Sequence, residues 1–149
     1  MIIEAGMAYA SVISALHKAC FEKPWNEKAI TDILGMPGAT GLIAHSDEET
    51  PQGFMLFRLA ADEAEIISIG VAPSVRRSGY GKQLLQASIV HAAQREASRM
   101  FLEVAEDNAG AKAFYEKAGF TIAGQRPDYY HSPTGKSDAL IYVLEITGK

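Results

Sequence analysis

Arg76-Arg77-Ser78-Gly79-Tyr80-Gly81-Lys82 lies between an apolar run, Ile66-Ile67-Ser68-Ile69-Gly70-Val71, and a long stretch of helical periodicity. A strand, a basic glycine turn and a helix in that order make a site for an anion. Glycine lets the backbone approach a ligand with no Cβ in the way, and the first amides of a helix have no acceptor inside it. Arg76, Arg77 and Lys82 add positive charge, so the turn reads as a cradle for a pyrophosphate. The spacing is neither Gly-x-x-x-x-Gly-Lys-Ser/Thr nor Gly-x-Gly-x-x-Gly, which sets aside a P-loop and a dinucleotide fold. The plainer alternative is a basic turn capping an ordinary amphipathic helix.

The 149 residues, nearly half of them hydrophobic, suit a single domain over 1–149 with a substantial core. No apolar run approaches the roughly 20 residues of a membrane span. The start, Met1-Ile2-Ile3-Glu4, lacks the basic region and small-residue cleavage site of a secretory signal. One cysteine, Cys20, excludes an internal disulfide and fits a reducing cytoplasm. A net charge of −4 argues against an extended nucleic-acid surface. A basic turn in an acidic protein favours a small anion over a long polyanion.

Working outward from the turn, the pattern predicts α/β architecture with a mixed sheet. Strands are expected over 2–5, 40–45, 53–59, 65–71, 101–105, 120–130 and 138–146, with a loop over 131–135. Helices are expected over 8–21, from an Asn26 cap to a stop at 35–38, over 79–97, and from Asn108 to Gly119. Pro24-Trp25 separates the first two. The turn at Asp62-Glu63 makes three successive strands antiparallel. The crossover from Val71 to Phe101 makes its two strands parallel if they are neighbours. Ligands of open α/β sheets sit at the carboxyl ends of parallel strands, and the basic turn follows one such end.

Arg76-x-x-Gly79-x-Gly81 resembles the acyl-CoA pyrophosphate motif of the GNAT N-acetyltransferases, and the element order is similar to theirs over almost the whole chain. Within that superfamily the chain resembles the bacterial ribosomal-protein alanine N-acetyltransferases. Pro24-Trp25, Asp62-Glu63-Ala64-Glu65-Ile66, Leu102-Glu103-Val104, Asn108-Ala109, Phe114-Tyr115-Glu116, Gly119-Phe120 and Tyr129-Tyr130, followed by Gly135 and Asp138-Ala139, carry that likeness. It implies a sheet splayed around acyl-CoA at its parallel pair, acetyl-CoA as donor, no metal, and a ribosomal-protein N-terminal amine as acceptor. It also implies a monomer or weak dimer. Gly70 stands where the family usually has alanine, which predicts a looser strand.

The resemblance assigns the general base to Glu103. The residue is unusual on its own terms, being a carboxylate in the apolar strand Phe101-Leu102-Glu103-Val104-Ala105, where it needs a job or a partner. Partial burial would make it a better base, and a structural ion pair is the alternative. Tyr115 is assigned the proton for the leaving thiolate by the resemblance alone; its residue context reads equally as a core aromatic beside Phe114. The resemblance also implies that the backbone of Ile69, Gly70 and Val71 holds the thioester arm as an added strand. Ser78, Tyr80 and their neighbours would bind the pyrophosphate through main chain, and Asn108 would touch the coenzyme while capping its helix. Trp25, Tyr129, Tyr130 and Asp138 either frame the acceptor groove or pack the core and hairpin. Cys20 with His17 suggests nucleophilic or metal chemistry, or simply packing. His45, His91 and His131 lack metal-ligand spacing. Other acceptors (a small amine, a lysine side chain) and a non-catalytic acyl-CoA-binding module are the competing functions.

Overall fold

In the computed structural model the run Ile66–Val71 lies within the middle strand of a sheet whose order is β1-β2-β3-β4-β5-β7-β6. The structure describes residues 1–132 and 135–146; of residues 128, 130, 131, 132 and 136 only the backbone is described. The strands are β1 Ile2–Ala5, β2 Ala39–His45, β3 Pro51–Ala60, β4 Glu63–Val71, β5 Arg99–Ala105, β6 Thr121–Ser132 and β7 Gly135–Glu145. The helices are α1 Ala10–Cys20, α2 Glu27–Leu34, α3 Tyr80–Gln94 and α4 Ala109–Lys117, with single 3-10 turns at Met7–Tyr9 and Pro73–Val75. β1 to β4 pair antiparallel, β4 and β5 pair parallel, and β7 inserts between β5 and β6. Among the described residues no helix is long and apolar enough to cross a membrane.

Alternation along the strands divides the core into two layers. Phe54 and Leu56 of β3 face α1 and α2, where they bury Ile13, Leu16 and Ile30. Met55 and Phe57 face α3, against Leu84, Leu85 and Ala92, and the same layer continues to Tyr115 and Phe120 around α4. Each fully buried large side chain of this kind contributes roughly 1.5–3 kcal/mol.

Local chemistry sets most element ends. The Asn26 carboxamide accepts from the Ala29 amide at 2.9 Å and starts α2 as expected, and Asn108 caps α4 in the same way at 3.1 Å. The expected helix over 79–97 stops at Gln94, because Glu96 takes a left-handed conformation with φ 64° and the Ala97 amide closes back on the Ala92 carbonyl. A glutamate rather than a glycine makes that stop, so composition did not mark it. The expected loop over 131–135 is shorter: β6 runs to Ser132 and β7 begins at Gly135.

His17 is a packing residue. It is 3% exposed and stacks against Phe21 and Trp25, at ring-centroid distances of 4.3 and 4.6 Å. Its Nδ1 accepts from the Trp25 backbone amide at 3.0 Å, which requires the tautomer protonated on Nε2. Ser14 Oγ donates to the Trp25 carbonyl at 3.1 Å. The bend at Pro24-Trp25 is thus pinned to α1. Burial pushes the His17 imidazole below its ordinary value.

A histidine held neutral in the fold and free to charge when unfolded gives stability that is full above about pH 6.5 and declines as pH falls below it. The urea midpoint is expected to drop between pH 7.5 and pH 5.5 in the wild type. His17→Phe keeps an aromatic ring and removes the titration, so it is expected to flatten that dependence. It should also cost on the order of 1–3 kcal/mol at pH 7.5, for the Trp25 amide left without its acceptor.

Candidate active site

β4 carries one extra residue. Leu56 of β3 pairs with Ser68 and the next residue, Phe57, pairs with Ile66, so Ile67 is bulged out of the ladder. A bulge bends its strand and increases the local twist. On the other edge of β4, parallel pairing with β5 covers only Glu63↔Arg99, Ala64↔Met100 and Glu65↔Phe101. Past that point the two strands part. The gap between them is a cleft of about 310 Å³, walled by Ile67 and Ile69 on one side and by Glu103 and Ala105 on the other. The β5-facing backbone of β4 beyond Glu65 has no strand partner there, which is the arrangement that accepts an extended ligand as an added strand.

A second cleft of about 450 Å³ adjoins this one at Ile69 and holds Gly70, Val71, Arg76, Arg77, Gly79, Tyr80, Gly81 and Lys82. Arg77 and Gly79 both have positive φ, 68° and 89°, and they fold the turn so that α3 begins at Tyr80. Gly79 is needed for its conformation, since an added Cβ would meet nothing within 4 Å. The first helical bond runs from the Gln83 amide to the Gly79 carbonyl at 3.0 Å, so the amides of Tyr80, Gly81 and Lys82 precede it. Among the described residues no acidic side chain lines this cleft, and the cation set with those amides fits a diphosphate. Arg76 is partly committed elsewhere: its Nε donates to the Val71 carbonyl at 3.1 Å and ties the turn to the end of β4. Ser78 lines a different, polar hollow with His45, Asp47 and Glu48, so of the turn residues it is the one that leaves the cradle.

The strand alternation places the two candidate catalytic groups on opposite sides of the sheet. Leu102 and Val104 share a layer with Tyr115 of α4, whereas Glu103 points to the other face. Both side chains line the same cleft, because the gap passes through the sheet. Glu103 Oε1 lies 3.4 Å from an Arg126 guanidinium nitrogen, and its Oε2 is buried with no hydrogen-bond partner. The ion pair therefore engages one oxygen of the carboxylate and leaves the other without a hydrogen-bond partner. Tyr115 is 5% exposed and packs edge-on to Phe114 and Phe120. Burial pushes its phenol well above the ordinary value, so it is a protonated donor at neutral pH. The neighbouring Glu116 accepts from the Tyr142 hydroxyl at 2.8 Å and anchors α4 to β7. Burial, then this bond to a carboxylate, pushes the Tyr142 phenol up to about 12.

The acceptor-side residues do not form one group. Trp25 is stacked on His17 rather than lining the cleft. Tyr129 is 48% exposed beneath the Arg126 guanidinium, 5.4 Å from its ring centroid. Asp138 bonds to Gln125 and lies in register with Leu140 and Tyr142, on the α4 face and away from Glu103. The Tyr130 side chain lies outside the described residues. Asn108 lines the cleft as well as capping α4. Phe21, Phe114 and Arg126 were not assigned to the site from the sequence: Phe21 closes the cleft from the end of α1, and Phe114 lines the cradle. Among the described residues no three His, Cys, Asp or Glu side chains stand close enough to hold a metal ion.

The departure at Gly70 has a local cause. A Cβ there would stand 2.7 Å from the Phe54 ring and 2.9 Å from Cys20 Sγ. Cys20 occupies the space of the missing methyl, and its thiol donates to the Val71 carbonyl at 3.4 Å. The strand is therefore filled from α1 rather than loosened, and Cys20 is accounted for without nucleophilic chemistry.

The splayed parallel pair, the basic turn at its end and the carboxylate and phenol across the gap are the parts of an acyl-transfer site. The chain belongs to the acetyltransferase (GNAT) family, whose profile matches residues 11–120. It is 32% identical over 124 residues to the [ribosomal protein bS18]-alanine N-acetyltransferase of Escherichia coli strain K12, covering 83% of this chain and 82% of that one. The enzyme of the same description from Salmonella typhimurium is 34% identical over 125 residues, with the same coverage. The crystal structure of the ribosomal-protein-S18-alanine N-acetyltransferase from Escherichia coli superposes with a TM-score of 0.89 at 28% identity, covering 99% of this chain and 95% of that one. The chain is thus an N-acetyltransferase with the family's mixed sheet.

Gly70→Ala is expected to destabilise by about 1–3 kcal/mol, as overpacking does. Cys20→Ala in the same chain should recover much of that loss. A double-mutant cycle in urea checks this, and strict additivity would show that Cys20 does not fill the notch.

Proposed function

We propose that this chain acetylates the N-terminal alanine α-amine of a ribosomal protein, with acetyl-CoA as donor and with both substrates bound together. One observation carries the reading: Glu103 and Tyr115 reach a single cleft from opposite faces of the sheet, and that cleft adjoins the basic cradle at Ile69. The relatives named for alanine acetylation of bS18 support the acceptor. A cytoplasmic location accords with a ribosomal acceptor.

Acetyl-CoA supplies an acetyl group activated as a thioester. The main-chain amides of Tyr80, Gly81 and Lys82, with Arg77 and Lys82, hold its diphosphate. The exposed edge of β4 at Ile69 to Val71 aligns the arm, and the Val71 amide steadies the carbonyl oxygen. The Glu103 carboxylate accepts the proton that the amine loses as it attacks. An α-ammonium has a pKa near 8, so deprotonating it at neutral pH costs only about one kcal/mol and a modest base suffices. The Tyr115 phenol gives its proton to the departing sulfur. Its raised pKa suits that role because a thiolate in the same apolar surroundings is raised too. No covalent acetyl-enzyme is required, since Glu103 and Tyr115 between them serve the amine and the thiol.

With acetyl-CoA and a peptide starting with alanine, acetylation of the α-amine is expected, detected by mass spectrometry. Glu103→Gln and Tyr115→Phe should each lower kcat by about 10²-fold or more with little change in donor binding. Wild-type rates in either variant would remove that residue's role. A lysine peptide and polyamines test the other acceptors. Binding of acetyl-CoA without transfer to any of them would favour an acyl-CoA-binding module.

A further inference from the structure

Among the described residues Arg126 is the one cation paired with the candidate base, and β6 is built to put it there. Ile122 pairs with Tyr142 of β7, but Gly124 pairs with Ile141, so Ala123 is an extra residue in β6. Side chains alternate along a strand, so whether one residue is paired or bulged out decides the face of everything after it. Were Ala123 paired in the ladder, Arg126 would stand opposite Asp138, on the α4 face. With Ala123 bulged out, Arg126 stands opposite Ala139, on the face of Glu103 and Ile141. A second irregularity follows between Arg126 and Tyr130, where Pro127 removes a backbone donor. It brings the Tyr129 ring beneath the guanidinium. Two bulges and an aromatic platform therefore aim Arg126 at one carboxylate oxygen.

The two oxygens of Glu103 are consequently unequal. Oε1 faces Arg126 at 3.4 Å, while Oε2 is buried and without a hydrogen-bond partner. Glu103 is the only charged side chain among the described residues lining that cleft. An amine bonding to this carboxylate arrives beside a fixed positive charge. A neutral amine pays nothing for that neighbour, whereas an ammonium is repelled by it and must share one carboxylate with it. At pH 7.5 roughly a third of α-amines are neutral, against about one lysine side chain in a thousand.

We propose that Arg126 is a specificity-determining residue: held against Glu103 by the β6 bulges, it excludes cationic amines and passes acceptors that reach the base neutral, which are α-amines. The inference rests on the α-amine reading above and goes beyond it by assigning the discrimination to one residue. It also gives the Glu103–Arg126 pair a purpose other than stability, since Arg126 is about half exposed on an edge strand.

The test compares kcat/KM for an alanine-starting peptide lacking lysine with that for an N-terminally blocked peptide containing one lysine, in wild type, Arg126→Gln and Arg126→Lys. The α-to-ε preference is expected to fall at least tenfold in Arg126→Gln and to return to within about threefold of wild type in Arg126→Lys, where the charge is restored. Spermidine should inhibit Arg126→Gln more strongly than wild type. A preference unchanged in Arg126→Gln, or one lost equally in Arg126→Lys, overturns the proposal. Those outcomes are distinct from failure of the α-amine reading, in which wild type itself leaves the alanine peptide untouched. Melting temperatures of the three proteins within a few degrees of one another separate a change in selectivity from a loss of fold.

Discussion

One bulged residue, Ile67, governs the architecture of the site. It bends β4 immediately after its third and last pair with β5, and a sheet that would otherwise be continuous opens there. An unpaired strand edge inside a protein is normally costly, because backbone donors and acceptors lose their partners. Here the opening coincides with the cleft, and the exposed edge becomes a template for an extended ligand. The basic turn, the α3 N-terminus and the catalytic candidates are all placed by where that parting begins.

The parting also explains how two groups on opposite faces of a sheet can serve one reaction. Glu103 and Tyr115 would be separated by the thickness of the sheet anywhere else along β5. At the gap they share a space, Glu103 reached from the face of α1 and β6 and Tyr115 from the face of α4. Packing holds each in place: Tyr115 between Phe114 and Phe120, with the Tyr142–Glu116 bond fixing its helix, and Glu103 by its pair with Arg126.

Much of this was legible in the chain itself. Alternation and caps located every strand and helix, and Arg76 to Lys82 stood out as a candidate anion site, because glycine and cations fall together in a strand-to-helix turn. What stayed hidden shares a physical character. Bulges at Ile67 and Ala123 leave no compositional trace, since isoleucine and alanine occupy them as readily as any regular position. Asp138 read as part of an acceptor groove or of the hairpin, and its face depends on register, which a single sequence does not fix. Arg126 carries no mark in the sequence of the face it takes, because that face is set by the ladder. The Cys20 and Gly70 exchange joins residues 50 positions apart, a pairing visible only once α1 lies against β4. Trp25 resolved toward packing because its partner, His17, sits on the preceding helix.

The bulge at Ala123 works as a parity switch. Were that alanine taken into the pairing with β7, the guanidinium would pass to the opposite side of the sheet with the composition unaltered. Which charge stands beside Glu103 therefore hangs on the pairing state of a single outer-strand alanine, with no change to Glu103, Tyr115 or the basic turn.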